Sequence, residues 1–68
     1  MNCRYYFTYR QRGKVDILRA GNDGTLETAN RLHDEFVEEN GLINIGEDQW
    51  LSPNGNYYTL FFDVRVDH

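Results

Sequence analysis

In two stretches of the chain, residues 2–10 and residues 56–66, apolar or aromatic residues occupy every second position. Strict alternation is typical of a strand that turns one face to a core. The sequence therefore predicts a first and a fourth strand at these positions. The residues expected on the core side are Cys3, Tyr5, Phe7 and Tyr9 in the first strand and Tyr58, Leu60, Phe62, Val64 and Val66 in the fourth.

Between these strands, residues 25–40 carry their apolar side chains at helical spacing. Ala29, Leu32, Phe36 and Val37 fall on one stripe, with His33 beside them, and the remaining positions are polar. That spacing predicts one amphipathic helix. His33, at the border of the stripe, is predicted to be a packing residue rather than a base or a metal ligand.

Both ends of the helix carry recognisable signals. Thr25 follows the run Gly21-Asn22-Asp23-Gly24 and is a predicted N-cap, with Asp23 as the rival cap. Asn40-Gly41 predicts a left-handed C-cap, after which Leu42 folds back on the helix.

Residues 14–20 are predicted to form the second strand, paired with the first through a short loop. A three-residue loop, with Gly13 left-handed, would pair Tyr9 with Val15 and Phe7 with Ile17. A two-residue loop would place Asp16 opposite Tyr9, so the hydrophobic pattern favours the longer loop.

Residues 43–51 are predicted to form the third strand, joined to the fourth by the turn at 52–56. This turn sets Trp50 beside Tyr58 on the core side. The same register would put Asp48 against the core, so we expect a bulge within residues 46–48 that returns Ile43 and Ile45 to the core.

These elements predict that residues 1–68 form one small α+β domain of ββαββ order. The sheet would be four-stranded and mainly antiparallel, with the helix packed on one face. The apolar first and fourth strands favour the sheet order 2-1-4-3. An order of 1-2-3-4, with the second and third strands parallel, also satisfies a right-handed crossover.

The charge and cysteine content of the chain argue against some classes of function. The 68 residues carry a net charge of −4, and Cys3 is the only cysteine, so no internal disulfide can form. The acidic balance argues against non-specific binding to nucleic acid or anionic membrane. No signal peptide or membrane segment is evident, and the free cysteine favours a cytoplasmic location.

Catalytic, metal and cofactor motifs are not evident either. Cys3 is predicted to face the core as an inert side chain. Asn22-Asp23-Gly24 lacks the alternating acids of a calcium loop, and no convergent set of metal ligands can be named. We therefore expect a protein that is not an enzyme and uses no metal or cofactor.

One helix cannot cover both faces of a four-stranded sheet, so one sheet face should stay open. This open face could be merely solvated, could make protein contacts, or could bind single-stranded nucleic acid by stacking bases on its rings. Of these we expect protein contact, with a homodimer that buries the open face. Association could equally run along the edge of the second or third strand. The open-face residues expected to contact a partner or ligand are Arg4, Tyr6, Leu18, Tyr57, Phe61 and Arg65.

The other candidate surface is acidic. Such a run is usually a solvated face, but it could also imitate a phosphate array and bind a basic cleft of a partner. We expect a small binding or regulatory protein acting through protein contacts, such as a phage- or mobile-element-type inhibitor; the alternative is the single-strand nucleic-acid module. The acidic residues expected to contact a partner are Asp34, Glu35, Glu38 and Glu39.

Overall fold

The chain folds into one small α+β domain with one helix and an antiparallel sheet. The computed structural model describes residues 2–67, and the side chains of residues 3–66; Met1 and His68 lie outside this range. The elements are β1 (Asn2–Gln11), β2 (Ile17–Arg19), α1 (Leu26–Asn40), β3 (Ile43–Asn44), β4 (Gln49–Leu51) and β5 (Tyr57–Asp67). The ββαββ order is broadly as predicted, but the sheet has five strands rather than four.

The long strands β1 and β5 form the centre of the sheet. They pair antiparallel over their whole length, from Asn2 opposite Asp67 to Gln11 opposite Tyr58. The sheet order is β2-β1-β5-β4-β3. This is the predicted 2-1-4-3 order with the third predicted strand divided into β3 and β4.

The start of α1 is held by both predicted caps. The Thr28 amide donates to Oγ1 of Thr25 at 3.2 Å. Asp23 accepts from the Thr25 amide at 3.2 Å and from the Thr28 hydroxyl at 2.8 Å. These bonds, with the Thr25 amide contributing most, lower the pKa of the Asp23 carboxyl below its ordinary value. Thr25 is the N-cap, and Asp23 holds it in place.

The end of α1 also matches the prediction. Gly41 is left-handed at φ 61°, and its amide donates to the Glu38 carbonyl at 3.3 Å. The Leu42 amide donates to the Val37 carbonyl at 3.0 Å, and the Leu42 side chain is buried. This is the 6→1 bond of a Schellman cap, followed by a hydrophobic return contact.

The core lies between α1 and the middle of β1 and β5. The Phe36 ring of the helix stacks on Tyr9 at 4.3 Å between centroids and lies 5.5 Å from Phe7. The buried apolar residues are Phe7, Ala29, Leu42 and Leu60, and those packed around them are Tyr5, Tyr9, Leu32, Phe36, Val37, Trp50 and Tyr58.

The predicted register of the first hairpin is wrong by two residues. Tyr9 pairs with Ile17, and Phe7 pairs with Arg19. A shift of two keeps every side chain on its predicted face, but it leaves Val15 in the loop and 78% exposed. Arg19 takes the place that the pattern gave to an apolar residue. Its guanidinium lies 5.5 Å from the Tyr9 ring centroid and donates to the Tyr9 hydroxyl at 3.3 Å, contacts that favour this register.

The predicted third strand is divided by a turn rather than by a bulge. β3 and β4 pair with each other, with Ile43 opposite Leu51. The Asn44 side chain closes the turn by donating to the carbonyls of Gly46 at 2.6 Å and Gln49 at 3.1 Å. Since a side chain satisfies the turn, the chain reverses where we expected it to continue.

This reversal changes which side chains reach the core. Trp50 pairs with Tyr58, as predicted, and packs against the core. Ile43 and Ile45 are exposed, so the expectation that a bulge returns them to the core is wrong.

The helix is shorter than the ribbon that it covers. Ten residues of β1 span about 33 Å, whereas the fifteen residues of α1 span about 22 Å. One end of the β1–β5 ribbon therefore extends past the helix. Cys3 lies at this end and is exposed, which corrects its predicted place in the core.

Candidate functional site

The acidic helix face consists of four exposed side chains on the C-terminal half of α1. The helix turns its buried stripe to the sheet, so the polar positions between stripe residues point to solvent. Among residues 2–67, one of the four carboxylates has a side-chain partner: Asp34 lies 3.2 Å from Nδ1 of His33. The residues of the acidic helix face are Asp34, Glu35, Glu38 and Glu39.

Two of these acids line a small cleft beside the sheet. Glu35 and Glu39 border a hollow of about 80 Å³ that also contacts Arg19 and the Phe36 ring. Small-molecule sites usually enclose about 300–1,000 Å³. The cleft lies well below this range.

A second hollow lies at the start of the helix. It measures about 340 Å³ and is lined by polar and charged side chains, among them Asp23, Thr28 and Arg31. Asp23 and Thr28 already hydrogen-bond to each other as part of the cap. The hollow is a consequence of the capping structure and lacks the apolar lining of a ligand pocket.

The open face predicted from the sequence exists as a continuous surface on the side of the sheet away from α1. Register places Arg4 opposite Arg65, and it places Thr8 between Leu18 and Phe61. Strand alternation therefore puts all six predicted residues on this side. These residues are Arg4, Tyr6, Leu18, Tyr57, Phe61 and Arg65.

The arginines of the open face are already engaged within the chain. Arg4 donates to the Gly21 carbonyl at 3.2 Å. Arg65 pairs with Asp63 at 3.3 Å, and Arg10 pairs with Asp16 at 3.0 Å. Neutralisation by neighbouring carboxylates weakens the attraction that a phosphate backbone would feel at this surface.

The rings of the open face are also partly covered. Tyr6 and Phe61 are half-buried, and Tyr57 is more exposed but lies under the Arg12 guanidinium, 4.5 Å from the ring centroid. Thr8, at the centre of this face, is 1% exposed. The side chains of the open face thus pack on one another, whereas a stacking platform presents free ring faces.

A third surface was missed by sequence reasoning. Toward the end of the ribbon that extends past α1, three apolar side chains of β5 are partly uncovered on the helix side: Phe62, which contacts the His33 ring, is 41% exposed, Val64 50% and Val66 49%. The sequence signal for this surface was a difference in length. Residues 57–67 form a longer strand than the interrupted segment 43–51 can cover, so within residues 2–67 no strand lies beside this part of β5 on the side away from β1. We call residues 62–66 the exposed β5 edge.

Candidate metal ligands do not converge within residues 2–67. No group of three or more His, Cys, Asp or Glu side chains there is arranged to hold a metal ion. His33 is enclosed by the rings of Phe7, Trp50 and Phe62 at 5.5–5.6 Å between centroids, which is the packing role predicted for it.

The described part of the chain contains no helix with the length and apolar composition needed to cross a membrane. Comparisons with protein-family models, with curated proteins and with solved structures found no match to this chain.

Proposed function

We propose that this is a non-enzymatic binding protein that acts through protein–protein contacts, with the acidic helix face lying against a basic surface of the partner. The observation that carries the proposal is electrostatic. Within residues 2–67, no lysine or arginine forms an ion pair with Glu35, Glu38 or Glu39. A cationic partner surface would supply the direct ion pairs that these three side chains lack.

The position of these acids on the helix supports a functional role, because it lowers stability. They lie at the C-terminal, negative end of the helix dipole, where each carboxylate is disfavoured by about 0.3–1 kcal/mol. The last turn of α1 contains no basic residue to offset this. Asp34 with Glu38, and Glu35 with Glu39, are also like-charge pairs at i,i+4. A surface that lowers stability in this way is typical of a functional site.

The charge spacing fits imitation of nucleic acid. Four carboxylates fall within residues 34–39, which span about 8 Å of helix axis, or about one charge per 2 Å. Duplex DNA carries about one charge per 1.7 Å of its axis. We therefore propose that the partner is a nucleic-acid-binding protein whose basic cleft accepts the acidic helix face, as a phage- or mobile-element-type inhibitor would require.

Binding of single-stranded nucleic acid to the open face is the alternative, and it has less support. Such binding needs free cations and free ring faces. Arg4, Arg10 and Arg65 are bonded within the chain, and Tyr57 is capped by Arg12.

The test compares two variants of equal net charge. The helix variant Glu35→Gln/Glu38→Gln/Glu39→Gln and the control variant Glu27→Gln/Glu47→Gln/Asp48→Asn each change the net charge from −4 to −1. All six positions are exposed. Tagged wild type and both variants are used to capture proteins from a lysate of the source organism, with and without added duplex DNA.

We expect wild type and the control variant to capture a nucleic-acid-binding protein that duplex DNA displaces, and the helix variant to lose it. Equal capture by all three proteins, or equal loss in both variants, would contradict the proposal. Titration of a labelled single-stranded oligonucleotide decides the alternative: saturable binding that Tyr57→Ala abolishes would favour the open face instead.

A further inference from the structure

The exposed β5 edge presents unpaired backbone groups as well as apolar side chains. The Leu60 amide donates outward to the Asp48 carbonyl at 2.9 Å, away from β1. Because backbone groups alternate in direction along a strand, those of Phe62, Val64 and Val66 also point outward. Among residues 2–67, β4 pairs with β5 only at 57–59, so no strand meets these groups.

A strand edge with free amides and carbonyls is a template for pairing with another strand, and proteins usually blunt such edges. On the α1 side of the sheet, the exposed β5 edge carries no charged residue or proline that would protect it from such pairing. The side chains of Phe62, Val64 and Val66, 41–50% exposed, form an apolar strip that faces the same way as α1. Burial of this strip would add to the hydrogen bonds gained by pairing.

Charges on the other side of β5 select the pairing partner. Asp63 and Arg65 flank Val64 and lie on the open face, where their side chains are 37% and 61% exposed and pair with each other at 3.3 Å. Association would exchange this pair in each chain for a pair between the two copies. In an antiparallel pair of two β5 strands, outward-pointing residues must oppose one another. The symmetric registers that pair at least three residues within 62–66 of each copy are centred at Asp63, at Val64 or at Arg65.

These registers differ in electrostatics. A centre at Asp63 opposes two aspartates, and a centre at Arg65 opposes two arginines, which is unfavourable. A centre at Val64 opposes Asp63 to Arg65 of the second copy, and does so twice. Residues 62–66 are thus self-complementary in charge about Val64, and they place Phe62 beside Val66 of the second copy on the apolar side.

We propose that the exposed β5 edge binds a second copy of this chain, antiparallel, with the two-fold axis at Val64. The two sheets become one continuous sheet, both helices lie on the same side of it, and the two apolar strips merge between them. The interface is isologous, as a closed dimer requires. It does not involve the acidic helix face, so its test is independent of the proposed partner.

The other sheet edges suit this role less well. β2 has three residues and β3 has two, and short edge strands are a usual protection against pairing. Association by the second or third predicted strand, or by the open face, is therefore less favoured than pairing along β5.

The test uses charge reversal and re-pairing. Asp63→Arg sets the introduced arginine against Arg65 of the second copy, and Arg65→Asp sets the introduced aspartate against Asp63 of the second copy. Each change alone should weaken self-association at least about tenfold, since two attractive pairs become repulsive. An equimolar mixture of the two variants pairs each introduced charge with its opposite, so it should form a heterodimer. Molar mass is measured by light scattering after size exclusion, over a range of concentrations.

We expect wild type and the mixture to reach twice the chain mass at concentrations where each variant alone stays at the single-chain mass, with dimerisation of each variant shifted to at least about tenfold higher concentration. Wild type at single-chain mass at every concentration, or variants that dimerise as tightly as wild type, would overturn the proposal. Val64→Pro adds a second test, because it removes an outward amide but no bond to β1. It should be monomeric and should keep the cooperative unfolding of wild type; a Val64→Pro dimer would contradict pairing along this edge.

Discussion

Thr8→Val should stabilise the protein. Thr8 is 1% exposed at the centre of the open face, and its Oγ1 has no hydrogen-bond partner within residues 2–67. Valine has the same branched shape and suits a strand equally well. The substitution replaces an unpaired hydroxyl by a methyl group and leaves the rest of the packing unchanged.

The expected gain follows from the burial of that hydroxyl. A buried polar group without a partner costs about 1–3 kcal/mol, and burial of an added methyl contributes roughly 0.8 kcal/mol. Allowing for imperfect fit between Leu18 and Phe61, which flank Thr8 in the register, we expect the free energy of unfolding to rise by about 1–2 kcal/mol. For a domain of this size, each 1 kcal/mol corresponds to a rise in Tm of about 4–8 °C.

Urea unfolding followed by the fluorescence of Trp50 measures this change, because Trp50 is the only tryptophan and packs against the core. Thr8→Ser is the matched control: it keeps the hydroxyl, loses the methyl, and should lower the free energy of unfolding by about 1 kcal/mol. A Thr8→Val protein that is less stable than wild type would refute the reasoning, since the hydroxyl would then be making a favourable hydrogen bond.

Three further changes test the helix. Gly41→Ala should cost about 1–2 kcal/mol, because φ is 61°, whereas Gly46→Ala, at ordinary φ, should cost clearly less; equal urea midpoints would contradict the left-handed cap. Glu38→Gln with Glu39→Gln should raise the free energy of unfolding by about 0.3–1 kcal/mol per change, and a loss of stability would show that these carboxylates are neutralised within the chain. The pKa of Asp23 is lowered in the folded state, chiefly by a backbone amide, so its contribution is complete above the ordinary carboxyl pKa and is lost as pH falls below it. Asp23→Asn should therefore flatten the acid limb of a plot of stability against pH, and an unchanged limb would count against the capping bonds.

Local sequence signals predicted much of the fold. The caps at Thr25 and Gly41 depend on side chains and turns within a few residues of one another, and both were predictable. Alternation identified β1 and β5, and their apolar content placed them at the centre of the sheet. These features needed no knowledge of distant contacts.

The register of the first hairpin and the division of the third strand depended on contacts that the hydrophobic pattern does not show. A shift of two residues leaves alternation intact, so the pattern cannot decide between Val15 and Ile17 as the partner of Tyr9; the register observed is the one in which Arg19 lies over the Tyr9 ring. The division of the third strand occurs at a turn closed by the Asn44 side chain and by the Ile45 amide, which donates to the Gln49 carbonyl.

The sequence predicted which residues form the candidate surfaces, but not whether their side chains are free or bonded within the chain. Alternation placed Arg4 and Arg65 on the open face, yet it could not show that each is bonded within the chain. The exposed β5 edge was hidden because it exists only where β4 and α1 end short of β5, and both lengths are properties of the folded molecule.

The exposed β5 edge, on which self-association depends, is tested most directly by residue-resolved amide hydrogen exchange at low and high protein concentration. In dilute solution the amides of Phe62, Val64 and Val66 should exchange rapidly, while those of Asp63 and Arg65, which point to β1, should be protected. At high concentration the first three should become protected as β5 pairs with a second copy. Protection of these three amides at every dilution, or rapid exchange at every concentration, would contradict a free edge that pairs with itself.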